Sequence, residues 1–270
     1  MSSFRVALVQ LAADSDVAAN MDRAAALVRR AGESKPALVA LPELFTYRGP
    51  VAGFRQSAAP IPGPTTAPFA ALAQELDTWI LLGSVAEASA AADRPYNTSV
   101  LLDPAGQVTA VYRKRHLFDV SIDNGPSDQE SARTTPGDAT VVAVLEGAAE
   151  EVDVRLGLSI CFDLRFPELY RELTAGGAVI LAVPANFAEF TGRDHWETLL
   201  RARAIENGSF VIAPAQCGSG GGMVTHGRSM IVDPWGTVIA QAPDGPGVVV
   251  ADLDLEKVVS TRSQLPTQPR

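Results

Sequence analysis

The chain has 270 residues, of which 47% are hydrophobic and 20% charged, and this composition suffices for a sizeable buried core. Its formal net charge of −9 would repel phosphate backbones and no clustered basic face offsets it, so we expect no nucleic-acid partner. Two cysteines outside any C-x-x-C pair give no support for a disulfide framework or a cysteine-based zinc site, and we expect a cytoplasmic protein.

The sequence predicts neither a signal peptide nor a membrane partner. Residues 1–8 lack a basic segment ahead of a long apolar run, and Gln10 and Asp14 interrupt the apolar pattern early. No window reaches the roughly 18 consecutive apolar residues that a membrane-spanning helix needs.

Strands and helices alternate along the first half of the chain. The predicted strands cover residues 4–11, 37–41, 79–85, 99–102 and 108–113. The predicted helices cover residues 17–30, which Asp16 caps and Gly32 ends, and residues 67–76. A tight turn over 103–106 joins the last two strands. The strand–helix–strand order is typical of an α/β protein.

A long connection over 115–138 is too polar to predict as core, and the second half then repeats the plan of the first. The predicted elements are strand 152–160, helix 167–175, strand 179–183, helix 194–207 and strand 210–215. The glycine-rich segment 218–222 precedes strand-like residues rather than a helix, which favours a flexible loop over a dinucleotide site. We predict two similar sheets with helices outside, in a single domain over 1–270.

Cys161 stands at a predicted strand-to-helix junction. A thiol at such a turn is presented for chemistry, and the backbone N–H groups of the following helix start would lower its pKa. The position also suits a small apolar residue that fills the core, since free cysteine is among the most buried residue types. Position alone leaves both interpretations open.

A cysteine nucleophile needs a base and a donor that offsets the charge of the transition state. Glu43 follows the strand 37–41, and Lys114 follows the strand 108–113. Each also has an unrelated interpretation, Glu43 as a solvated turn residue and Lys114 as one member of a basic run. If the three strands lie side by side, a carboxylate, an ammonium and a thiol converge on one pocket.

Three segments around these residues, 41–45, 112–119 and 157–168, resemble the three motifs of the nitrilase superfamily of carbon–nitrogen hydrolases. The segments 191–197, 201–207 and 226–236 resemble its Nit branch. The resemblance implies an α/β fold of the four-layer αββα sandwich type. It further implies no cofactor, no metal, and a homodimer or larger homo-oligomer.

The resemblance also implies roles for four residues. Glu43 would be the general base, Lys114 the stabiliser of the oxyanion, Cys161 the nucleophile, and Glu130 a second glutamate that helps to place the substrate or the lysine. The amide N–H of Phe162 is a candidate second oxyanion donor.

The activity that the resemblance implies is hydrolysis of a small carboxylate-bearing amide to an acid and ammonia, through a cysteine thioester. Segments 215–218 and 263–266 resemble deaminated glutathione amidases more than ω-amidases acting on 2-oxoglutaramate. N-carbamoyl amidohydrolase and nitrilase activities stay open, as does a catalytically silent scaffold, whose signature would be loss of a catalytic residue. The candidate substrate contacts are Arg165, Phe162, Asn186 and Arg193, with Arg48 and Arg115 as further arginines able to hold a carboxylate.

Overall fold

The computed structural model describes residues 3–91, 93–148 and 154–267. Val152 and Asp153, the first residues of a predicted strand, and the N-terminal Met1 and Ser2 lie outside the described residues. Within the described ranges, no helix is long and apolar enough to cross a membrane.

Two six-stranded sheets form the centre of the molecule, accompanied by two short hairpins and helices. The strands are β1 Ser3–Gln10, β2 Leu38–Ala40, β3 Trp79–Glu87, β4 Tyr96–Leu102, β5 Val108–Arg113, β6 Asp119–Ser121, β7 Ser127–Gln129, β8 Val142–Leu145, β9 Val154–Leu158, β10 Ile180–Ala182, β11 Phe210–Ala213, β12 Cys217–Gly220, β13 Met223–His226, β14 Met230–Val232, β15 Val238–Gln241 and β16 Gly247–Asp254. The α-helices are α1 Val17–Gly32, α2 Val51–Gln56, α3 Ala67–Leu76, α4 Pro167–Ala175, α5 Glu189–Asn207 and α6 Glu256–Gln264. Single 3₁₀ turns cover Glu130–Ala132 and Cys161–Arg165.

The two sheets have the same internal plan. The first runs β16-β1-β2-β3-β4-β5 and the second β8-β9-β10-β11-β14-β15 when read from the matching edge. In each, three parallel strands are flanked by one antiparallel strand on one side and two on the other. The predicted similarity of the two halves is therefore present in the topology, with the C-terminal β16 completing the first sheet.

Alternating apolar side chains of the first sheet point to two different cores. Val6 and Leu8 belong to a cluster shared with the second sheet, whereas Ala7 and Val9 pack with α1 and α3. The second sheet is covered on its other face by α4 and α5, whose buried residues include Tyr170 and Trp196. This arrangement is the predicted four-layer αββα sandwich.

The predicted helix over 194–207 begins earlier, at Glu189. Gly192 is a poor helix former in isolation, but a side chain at this position would overlap His226 on β13. The glycine is thus required where α5 packs against the hairpin β12–β13, a tertiary contact that local propensity does not encode.

Candidate active site

Glu43, Lys114 and Cys161 all follow strands, as predicted, but the strands are not side by side. β2 and β5 lie in the first sheet with β3 and β4 between them, while β9 lies in the second sheet. The three side chains instead meet where the two sheets face each other, and they line one pocket. The exposed fractions are 2% for Glu43, 2% for Lys114 and 7% for Cys161, so all three side chains are buried at the bottom of the pocket.

Cys161 has a left-handed backbone conformation, with φ of +48°. This region is uncommon for a residue with a side chain and persists only where the surroundings enforce it. The amide of Cys161 donates to the Pro184 carbonyl at 2.9 Å, which fixes the turn against the end of β10. The predicted sharp turn at Cys161 is therefore present, as a 3₁₀ turn ahead of α4.

Asp163 connects the turn that carries Cys161 to the segment that carries Lys114. Its fully buried carboxylate accepts from the Ile160 amide at 2.9 Å and from the Tyr112 hydroxyl at 2.7 Å. It also accepts from the His116 amide at 3.0 Å and contacts Nδ1 of that ring at 2.7 Å. These contacts fix the relative positions of the thiol and the ammonium.

Lys114 lies between two carboxylates. Its Nζ donates to Oε1 of Glu43 and to Oε2 of Glu130, each at 2.9 Å. Burial by itself lowers the pKa of the Lys114 ammonium, but the charges of Glu130 and Glu43 outweigh burial and raise that pKa well above its usual range. Lys114 is thus a fixed positive charge inside the pocket.

Glu43 uses its two carboxylate oxygens differently. Oε1 faces Lys114, whereas Oε2 accepts the Asn186 amide at 2.7 Å. The Cys161 thiol lines the same pocket, where burial and the negative charge of the Glu43 carboxylate raise its pKa. Glu43 therefore shares this pocket with both the cation and the thiol.

The expectation that a helix start lowers the pKa of Cys161 is wrong for this resting structure. Burial raises the pKa of the thiol well above its ordinary value of 9.0, and the negative charge of Glu43 raises it further, against the opposing effect of Lys114. The thiol is consequently neutral at pH 7, and it needs a base during attack rather than before it.

This pKa shift predicts a measurable pH dependence of stability. Above about pH 9 the unfolded chain loses the Cys161 proton while the folded chain keeps it, so the folded state binds more protons and stability falls as pH rises. Between pH 9 and 10.5, the free energy of unfolding of wild type should fall faster than that of Cys161→Ala. The difference in slope should approach about 1.4 kcal/mol per pH unit.

Urea unfolding of the two proteins at several pH values measures this difference. Cys217 is present in both and cancels. Parallel curves would mean that the folded and unfolded chains lose the Cys161 proton over the same pH range, so that burial does not raise the pKa of the thiol.

Asn97, on β4, is a site residue that sequence reasoning missed. Its Nδ2 donates to Oε1 of Glu43 at 3.0 Å and to Oε1 of Glu130 at 3.2 Å, and its carbonyl accepts from the Lys114 amide at 2.9 Å. The side chain is 1% exposed. Asn97 lies two residues before the predicted strand 99–102, in a polar stretch with Thr98 and Ser99 that gave no local sign of a buried site residue.

Glu130 corrects the prediction that the connection 115–138 stays outside the core. The hairpin β6–β7 and the following 3₁₀ turn carry Glu130 inward, where it is 6% exposed. Besides its bonds with Lys114 and Asn97, Glu130 accepts a hydrogen bond from the Phe118 amide at 2.7 Å. One buried carboxylate therefore joins the lysine to the base of the hairpin.

The pocket has a volume of about 480 Å³ including its open mouth, and it contains three of the four candidate substrate contacts, Arg165, Phe162 and Asn186. Arg193 is outside it: its side chain is 70% exposed and pairs with Glu189 at 2.8 Å. Arg115 is also elsewhere, bound to Glu172 at 2.6 Å. Within the described ranges, no group of histidine, cysteine or acidic side chains is arranged to hold a metal ion.

The chain is similar to a known protein family and to proteins described as amidases. The family model described as carbon-nitrogen hydrolase matches residues 5–263. The chain is 38% identical over 269 residues to the deaminated glutathione amidase of Synechocystis, covering 99% of this chain and 97% of the relative. It is 35% identical over 268 residues to human omega-amidase NIT2, covering 98% of this chain and 94% of the relative.

Two solved structures extend the comparison. Saccharomyces cerevisiae Nit3, a member of branch 10 of the nitrilase superfamily, superimposes with a TM-score of 0.87 at 30% identity, covering 100% of this chain and 96% of that one. A mutant amidase from Nesterenkonia sp. superimposes with a TM-score of 0.80 at 28% identity, covering 98% and 96% of the chains. That amidase carries the acetamide moiety of fluoroacetamide, covalently added at its active-site cysteine.

Proposed function

The chain belongs to the carbon–nitrogen hydrolase family of amidases, as its motifs indicated, and on this premise we propose that it hydrolyses a small carboxylate-bearing amide through a Cys161 thioester. The observation that carries the proposal is the placement of Glu43, which accepts a hydrogen bond from Lys114 at 2.9 Å and lines the same pocket as the Cys161 thiol. Base, nucleophile and positive charge thus line one pocket before substrate arrives.

In the first half-reaction, Glu43 takes the proton of the thiol while Sγ of Cys161 bonds to the amide carbon. The amide oxygen becomes negative, and the fixed ammonium of Lys114 stabilises it. Glu43 then gives its proton to the amide nitrogen, the carbon–nitrogen bond breaks, and a thioester remains. The leaving group is ammonia from a primary amide, or an amine from a substituted amide.

In the second half-reaction, Glu43 removes a proton from a water molecule that attacks the thioester carbon. The carbon–sulfur bond breaks, the carboxylic acid leaves, and the proton held by Glu43 returns to the sulfur. Lys114 stabilises the second oxyanion as it did the first. Glu130 and Asn97 touch neither bond that breaks, and their proposed task is to hold Lys114 and Glu43 in position.

Arg165 is the proposed partner for a carboxylate of the substrate. It lines the pocket four residues after Cys161, lies over the Phe187 ring at 5.2 Å, and contacts Nδ1 of His195 at 3.2 Å. Among the described residues it has no ion-pair partner within 4.0 Å. Partial burial lowers the pKa of its guanidinium, opposed by Cys161, so an anion in the pocket would be favoured.

A four-substrate panel tests the proposed activity: deaminated glutathione, 2-oxoglutaramate, an N-carbamoyl amino acid and a simple nitrile. We expect turnover of the two 2-oxoglutaryl amides, measured as release of 2-oxoglutarate, with deaminated glutathione preferred by about tenfold in kcat/KM, which is 1.4 kcal/mol. The Synechocystis relative and the segments 215–218 and 263–266 favour this order.

Other outcomes of the panel choose between the alternatives. Preference for 2-oxoglutaramate would favour the ω-amidase reaction, and preference for the carbamoyl compound or the nitrile would favour those chemistries. Inactivity on every compound would favour a silent scaffold, although Glu43, Lys114 and Cys161 are all present.

We further propose one catalytic domain over 1–270 and a homo-oligomer. The family match over residues 5–263 supports the first. Exposed apolar side chains on and beside α5, Ile205 at 48% and Trp235 at 54%, support the second, because such a surface suits a protein–protein contact.

A further inference from the structure

A larger chamber opens next to the catalytic pocket. Its volume is about 1240 Å³ including its mouth. The residues that line both spaces are Leu44, Phe118, Asp128, Glu130, Arg133, Asn186 and Met223. Because the two spaces share these lining residues, the outer chamber lies directly beside the pocket that contains Cys161.

Arg48 lines the outer chamber and is 4% exposed, yet it has no carboxylate partner within 4.0 Å among the described residues. Its guanidinium contacts are long. They are the carbonyls of Cys217, Met223 and Gly220 at 3.2, 3.4 and 3.5 Å, Oε1 of Gln216 at 3.4 Å and Oγ1 of Thr225 at 3.5 Å. Its Nε is buried without a hydrogen-bond partner.

The other arginine of the chamber is different. Arg133 forms two 2.6 Å bonds with the Asp128 carboxylate, so its charge is already compensated. Charge-assisted bonds of this length are strong, whereas the 3.2–3.5 Å contacts of Arg48 are weak. Arg48 therefore differs from Arg133 in that no neighbouring carboxylate balances its charge.

A buried, unmatched cation is unfavourable in the unliganded protein. Burial lowers the pKa of Arg48 to about 10, with the charges of Cys217 and Glu43 opposing it. A carboxylate that binds to this guanidinium would replace part of the solvation that the guanidinium loses on burial.

The hairpin β12–β13 makes this arrangement possible. A side chain on Gly220 would lie 3.0 Å from Cζ of Arg48, so a glycine lets the hairpin backbone approach the guanidinium closely. A side chain on Gly222 would meet nothing within 4 Å, so the tip borders open space. The expected flexible loop 218–222 is thus part of a hairpin beside the pocket, and Arg48 holds its carbonyls.

We propose that the outer chamber binds the leaving-amine half of an elongated amide and that Arg48 is the charge partner of a carboxylate at its far end. The ligand class is an N-acyl dipeptide with a free C-terminus, whose acyl half lies at Cys161 and Arg165. This inference rests on the proposed amidase function, because it places the scissile amide in the inner pocket.

The test compares two substrates that differ only at the far end: the 2-oxoglutaryl amide of alanylglycine and its methyl ester. The readout is the ratio of kcat/KM for acid over ester. One charge-assisted contact predicts a ratio of about 10–100 for wild type, carried by KM. Arg48→Met should bring the ratio near 1, and Arg48→Lys should give an intermediate value because it keeps a charge without the planar donor group.

The ratio separates recognition from a purely structural role of Arg48. If Arg48 only holds the hairpin, Arg48→Met lowers both rates together and the ratio stays high, which would overturn the proposal. A wild-type ratio near 1 would overturn it without any variant. Arg193→Met is the matched control, an exposed arginine outside both spaces, and it should keep the wild-type ratio.

A binding measurement distinguishes failure of the proposed amidase function from failure of the proposed carboxylate contact with Arg48. Calorimetry with N-succinyl-alanylglycine and its C-terminal methyl ester requires no turnover. Tighter binding of the acid to wild type but not to Arg48→Met would support the chamber even if no amide were hydrolysed. Turnover of 2-oxoglutaramate together with equal binding of acid and ester would support the amidase and reject the chamber.

Discussion

Cys161→Ala should lower kcat/KM for the preferred amide by at least about 10⁴-fold, because the sulfur forms the covalent intermediate and no other group takes its place. The neighbouring Ser159 does not replace it. Its hydroxyl is fully buried and contacts the Tyr170 hydroxyl at 2.8 Å and the Ala182 carbonyl at 2.7 Å. At pH 7, loss of one small side chain should change the free energy of unfolding by only about 1 kcal/mol.

Cys217→Ala is the matched control, since it removes the other buried cysteine of the chain. Cys217 lines a different cavity, beside His226 and Arg228, and its side chain is not part of the proposed mechanism. Mass spectrometry of wild type quenched during turnover should show an acyl adduct on the peptide containing Cys161. Retained activity in Cys161→Ala together with loss in Ser159→Ala would replace the thiol mechanism by that of a serine hydrolase.

The candidate site residues that the sequence indicated directly lie at the ends of predicted elements. Strand β5, helix α3 and helix α4 were predicted with their observed bounds, because apolar periodicity and Pro167 mark them locally. Glu43 and Lys114 follow such strands, and their shared position was visible before the structure. The separation of their strands by β3 and β4, and the position of Cys161 after a strand of the second sheet, were not visible, since strand order is set by long-range pairing.

Long-range pairing also explains most of what was missed. β16 pairs along its whole length with β1, more than 230 residues away in the chain, as the partners Ser3 and Asp254 illustrate. β16 lies at a sheet edge, and its side chains are mostly half-buried or exposed, so the apolar pattern of this strand is weak. Glu130 was assigned from resemblance alone, because a polar loop gives no local sign that one carboxylate turns inward to a lysine.

The second large effect concerns Lys114→Met, which should lower kcat by about 10²–10³-fold through loss of the oxyanion's positive partner. Stability should fall as well. Glu43 and Glu130 would remain buried without the ammonium that each contacts at 2.9 Å, and removing one partner of a buried ion pair costs about 3–5 kcal/mol.

A double variant separates these two effects. Lys114→Met with Glu130→Gln removes one buried negative charge along with the positive one, so part of the lost stability should return in urea unfolding at pH 7. The catalytic defect should persist, because neither glutamine nor methionine supplies a cation to the oxyanion. Recovery of kcat in the double variant would show that Lys114 acts by neutralising Glu43 and Glu130 rather than by stabilising the transition state. If kcat does not recover, the ammonium of Lys114 has two roles: it holds Glu43 and Glu130 in place before substrate binds, and it stabilises the transition state.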